Sequence, residues 1–165
     1  MTRSARAFIV AGACALATLH GNAGEPIPSA ASILADIKSD GAKAVFGRLW
    51  SNEAKFDAVC DAIEGAEPKW LEVAANLKAV SDGAAALSLN FSVARALPRA
   101  PSRVLALVGH GFALEDICTS PYIEPDPGVA EDYEKRALAA LATVSDSHLK
   151  ALADRCTSRV RIPKG

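Results

Sequence analysis

Apolar side chains return every third or fourth position along most of this chain, and that spacing is the strongest constraint on its fold. Trp70, Val73, Ala74 and Leu77 keep the rhythm directly after Pro68. Proline suits a first helical turn, because its φ is already helical and its missing N–H would have no partner there. Leu87, Phe91, Ala94 and Leu97 do the same behind Ser81-Asp82, whose side-chain oxygens suit an N-cap. Leu89, Val93 and Ala96 add a second stripe to that segment. A helix apolar on two sides belongs inside its domain, so 83–97 is the expected centre of the core.

The C-terminal third reads the same way. Val129, Tyr133, Ala137, Ala140, Leu141 and Val144 form one stripe after Asp126-Pro127, and Leu149, Leu152, Ala153, Cys156 and Val160 form another after Ser145-Asp146. Short connections make antiparallel neighbours, so helices 128–144 and 146–160 are expected to pair as a hairpin. Toward the N-terminus, segments 29–38 and 41–50 read as short helices split at Ser39-Asp40-Gly41. Asn52 caps 53–64, with Phe56, Val59, Cys60 and Ile63 inward. Helices over 101–109 and 113–118 complete the set. Alanine and leucine carry the apolar content and aromatics are few, a balance that favours helices over strands. The expected fold is therefore all-α: one compact domain of about seven to nine short helices, as an irregular bundle or stacked helical pairs.

Before that domain comes a different kind of segment. Arg3 and Arg6 precede an uncharged apolar run from Phe8 to Leu19, and Gly21-Asn22-Ala23 offers small residues for cleavage after Ala23. This is the pattern of a secretory leader. The run is shorter than the roughly 20 residues a spanning helix needs, so no membrane span is expected after processing. A lipoprotein processed at Cys14 is the lesser alternative. The expected division is a leader over 1–23 and a single helical domain over 24–165, located in the periplasm or secreted.

Removing the leader takes two arginines and no acid, moving the net charge from −1 to −3. That mild acidity provides no electrostatic reason to expect a nucleic-acid partner. The basic residues Arg155, Arg159, Arg161 and Lys164 are accounted for by a helix C-terminus, whose dipole they complement.

The domain keeps Cys60, Cys118 and Cys156. Outside the cytoplasm two of these are expected to pair. A hairpin that returns the chain to its start favours Cys118 with Cys156 and leaves Cys60 as a buried thiol; pairing of Cys60 with either partner is the alternative.

Residues with chemistry are sparse. His110 stands between Gly109 and Gly111, near Cys118, an arrangement that suggests a thiol–imidazole pair; glycines as helix terminators explain it more simply. The proline-rich loop 121–128 presents Tyr122, Ile123 and Glu124 as an interaction element, or packs Tyr122 and Ile123 beneath the hairpin. Trp50 and Trp70 read as core anchors. No catalytic residues, cofactor or metal ligands are assigned. Three classes remain. The favoured one is a non-catalytic protein-interaction module of the cell envelope, of inhibitor, immunity or assembly type, with another envelope or extracellular protein as partner. The others are a carrier of a small apolar ligand and an enzyme with a site scattered in sequence.

Overall fold

The computed structural model describes residues 28–161; the expected leader over 1–23, its expected cleavage point and Cys14 lie outside the described residues. Among the described residues nine helices follow one another: α1 Ala30–Asp40, α2 Ala42–Trp50, α3 Glu53–Glu64, α4 Pro68–Lys78, α5 Gly83–Ala96, α6 Pro101–Leu105, α7 Leu114–Ile117, α8 Val129–Leu141 and α9 Ser147–Val160. Among the described residues there is no strand, only an isolated bridge between Val108 and Phe112.

The helix starts have local causes. Ser29 Oγ accepts from the Ser32 amide at 3.1 Å, Asn52 Oδ1 from the Lys55 amide at 3.1 Å, and Asp146 Oδ1 from the His148 amide at 2.8 Å. Each bond satisfies a first-turn N–H that lacks an intrahelical acceptor. Pro68 and Pro101 open α4 and α6. At α7 the Asp116 carboxylate accepts from the Ala113 amide at 2.9 Å, closing the turn from within.

Helix α5 packs against α3, α4, α6 and α7. Its Leu89, Val93, Ala94 and Ala96 are wholly buried, as is Leu97 just beyond it. The two-sided apolar pattern thus translates into a central position. Small alanines on this helix let its neighbours approach closely, while Ile33, Phe56, Leu77, Leu105 and Ile117 fill the space between layers. Helices α8 and α9 pack against each other, and α9 also meets α6 and α7.

Helix α6 ends at Leu105, four residues short of the span its letters suggest. From Leu107 the chain turns back on itself. The His110 amide donates to the Leu107 carbonyl at 2.8 Å and the Gly109 amide to the Phe112 carbonyl at 3.0 Å. Gly109 and Gly111 adopt φ of +85° and +94°, which L side chains resist. Gly111 also lies against the Ala75 carbonyl of α4, where an added Cβ would sit at 3.3 Å.

Candidate interaction face

Helix α2 ends where Ser51-Asn52 breaks the chain, and Asn52 restarts it as α3. This corner carries the aromatic residues Phe46, Trp50 and Phe56. Trp50 meets Phe56 edge-on at 5.0 Å and stacks on Phe46 at 6.2 Å. Phe56 is buried, but Trp50 is 47 % exposed. The expectation of Trp50 as a core anchor is therefore corrected: the indole packs against Phe46 and Phe56 and leaves about half of its surface to water. Trp70 is half-buried and packs against the core from outside.

Two grooves run from this corner along the seam between α3 and α5. The first, about 440 Å³, is lined by Trp50, Glu53, Phe56, Asp57 and Ser88. The second, about 360 Å³, continues past Asp57 and Ser88 to Cys60, Asp61, Phe91, Ser92 and Arg95, with Glu64 in its wall. Because both share Asp57 and Ser88, they form one furrow along the length of α3. Leu87, one residue before Ser88, is 45 % exposed on the outer side of α5.

Cys60 forms part of the floor and is only 8 % exposed. Burial pushes its thiol from 9.0 up to about 11, the carboxylates of Asp57, Asp61 and Glu64 push the same way, and a hydrogen bond with Ser92 opposes them. A thiol so protonated is a weak nucleophile. Here it acts as a small apolar group.

Arg95 closes the far end. Its Nη1 bonds Glu64 Oε1 at 2.8 Å, its Nη2 donates to the Pro121 carbonyl at 3.0 Å, and its guanidinium lies over the Tyr122 ring at 5.3 Å. One side chain thus ties the furrow to the proline-rich loop. Tyr122 is half-buried and meets Tyr133 edge-on at 5.8 Å, whereas Ile123 is 72 % exposed and Glu124 projects from a backbone with φ of +48°. The loop therefore divides: Tyr122 packs, while Ile123 and Glu124 face solvent.

Cys118 and Cys156 are joined by a disulfide, with sulfurs 1.96 Å apart and Cα atoms 5.0 Å apart. Both are buried, and Cys118 offers no thiol to His110. His110 is exposed at the tip of its glycine turn. Asp116 is directed elsewhere, accepting from Asn90 Nδ2 at 2.8 Å as well as from the Ala113 amide. The thiol–imidazole arrangement is thereby ruled out. Among the described residues no group of three or more His, Cys, Asp or Glu is placed to hold a metal ion.

What the letters did not single out is the acidic run on α3. Glu53, Asp57, Asp61 and Glu64 are separated by four, four and three positions, the signature of one helical face.

Comparison with protein-family models, curated proteins and solved structures finds no match. The reading of this face rests on its own chemistry.

Proposed function

We propose that the chain is an exported, non-catalytic protein-interaction module of the cell envelope or its exterior, of the inhibitor, immunity or assembly kind. The furrow between α3 and α5 is its binding face. The observation that carries this reading is the exposure of Trp50, at 47 %, in the lining of a furrow of about 440 Å³, with Leu87 45 % exposed next to its lining residue Ser88. Large apolar groups left in water cost hydration free energy that a partner recovers, and tryptophan is enriched among the residues that dominate protein interfaces. The loop extends the same surface: Arg95 bridges the furrow to Pro121, and Ile123 stands exposed two residues beyond. Export is supported by the leader-like first residues and is compatible with the disulfide. No helix among the described residues is long and apolar enough to cross a membrane.

The test is site-directed photocross-linking in the native host. A benzophenone side chain at position 87 is expected to capture one discrete protein, and Trp50→Ala is expected to abolish that adduct. The same group at Lys135, an exposed position on α8, serves as control. Equal adducts from both positions, or none from position 87, would count against the proposal. Fractionation that leaves the processed chain in the cytoplasm would remove the export part.

A further inference from the structure

The charge on the furrow selects among possible partners. The carboxylates of Glu53, Asp57, Asp61 and Glu64 form a stripe along α3, and the facing wall from α5 offers Ser88, Phe91, Ser92 and Arg95. Four carboxylates against one guanidinium leave three negative charges on this strip, as many as the net −3 of the whole chain once the expected leader is removed.

The fold does not account for that concentration. Glu53 lies in the first turn of α3, where the helix dipole favours an acid. Asp61 and Glu64 lie toward the other end, where the dipole opposes them and no basic residue occupies the last turn. Glu64 is answered by Arg95 at 2.8 Å. Asp57 and Asp61 are exposed, stand one turn apart, and receive no ion pair among the described residues. Like charges at that spacing destabilise a helix. They also raise the Cys60 thiol beneath them, so their field reaches the furrow floor.

The apolar half of the strip specifies the rest. Trp50 lines the furrow, Leu87 is exposed next to the lining residue Ser88, Phe91 is half-buried in the wall, and Phe56 packs against Trp50. A stripe of acids beside a row of apolar groups complements a helix with basic residues along one edge and large apolar residues on its face. An arginine or lysine of such a helix pairs with a carboxylate of Glu53 or Asp57, while its apolar residues cover the exposed part of Trp50. We infer that the occupant of the α3–α5 furrow is a cationic amphipathic helical segment of another protein. The inference rests on the interaction-module reading of the same face and names its partner chemistry.

A second copy of this chain is the competing occupant, since Arg155 and Arg159 are exposed on α9. The test uses the processed full-length chain with its disulfide intact. The probe is a synthetic lysine–leucine amphipathic peptide of about 14 residues, long enough to follow α3. Its glutamate–leucine counterpart and a lysine–serine peptide of equal charge serve as comparisons. Binding is followed by anisotropy of the labelled peptide and by Trp50 emission in a Trp70→Phe background. The lysine–leucine peptide is expected to bind, and to weaken about tenfold or more in Asp57→Asn/Asp61→Asn, with circular dichroism unchanged and melting no lower than in the wild type. Added salt weakens it further, and the two comparison peptides bind less well. Equal binding of the glutamate peptide, or indifference to the double substitution, would overturn the inference. So would self-association in sedimentation that disappears with both Asp57→Asn/Asp61→Asn and Arg155→Gln/Arg159→Gln, which assigns the face to a second copy. The cross-link at position 87 separates the two levels: if Trp50→Ala abolishes it and the aspartate pair does not, the module stands and its cationic partner falls.

Discussion

The hydroxyl of Tyr133 on α8 donates a 2.9 Å hydrogen bond to the carbonyl of Ala94 in the last turn of α5. The residue four positions beyond Ala94 is Pro98, which has no N–H to complete the helical bond. The Leu97 amide takes up the carbonyl at 3.1 Å, and Tyr133 supplies the second donor from across the core. Burial keeps this hydroxyl protonated far above its ordinary range, so it remains a donor. Tyr133→Phe leaves a buried carbonyl with one bond fewer and is expected to destabilise the protein by about 1–2 kcal/mol. Urea unfolding checks it; an unchanged midpoint would show that the bond contributes nothing net.

The disulfide between Cys118 and Cys156 closes a loop with a sequence separation of 38. That loop contains all of α8, so the unbridged unfolded chain gains considerable freedom. Cys118→Ala/Cys156→Ala is expected to lose roughly 4 kcal/mol on the loop-entropy account. The melting temperature should fall by roughly 8–16 °C for a domain of this size. Thermal circular dichroism with and without reductant makes the comparison: reductant should lower the melting of the wild type and leave the variant unmoved.

Cys60 sets a pH dependence at the alkaline end. Its native thiol titrates at about 11, against 9.0 ordinarily, chiefly because it is buried. Between those values the unfolded chain releases the proton and the native chain keeps it. The stabilisation is therefore complete below pH 9 and is lost as pH climbs toward 11. Urea midpoints near pH 8 and about pH 10 should differ more in the wild type than in Cys60→Ala. Iodoacetamide should label Cys60 slowly until denaturant is added.

Two glycines should respond in opposite directions to the same substitution. Gly47 lies inside α2, with ordinary helical backbone and open space where a Cβ would project. Gly47→Ala is expected to stabilise by about 0.4–1 kcal/mol, through reduced freedom of the unfolded chain and better helix propensity. Gly111 sits at φ +94° with the Ala75 carbonyl 3.3 Å from the added Cβ. There Gly111→Ala is expected to cost about 1–2 kcal/mol. Differential scanning calorimetry of both variants decides it; equal shifts of one sign would contradict the account.

Most helix boundaries were legible because their causes are local. Asn52 before α3 and Pro68 at the start of α4 act within one turn, and their letters suffice. The end of α6 was not legible: Leu107 and Val108 continue the apolar rhythm, and the chain turns there only because Phe112 returns to Gly109. The exposure of Trp50 was equally hidden. An indole on an apolar face predicts burial, yet the face it shares with Phe46 and Phe56 lies at the end of α2, where no further helix among the described residues covers it. The acidic spacing on α3 was present in the letters, but only the adjacent α5 wall makes it one side of a furrow.

By itself, then, the order of residues determined that this chain coils into short helices and that α5 lies inside, because periodicity and capping act over a few residues. Which side chains remain in water was decided by tertiary packing alone. Whether Trp50, Leu87 and the carboxylates of α3 are covered depends on which helices arrive from elsewhere in the chain, and that is a property of the assembled whole.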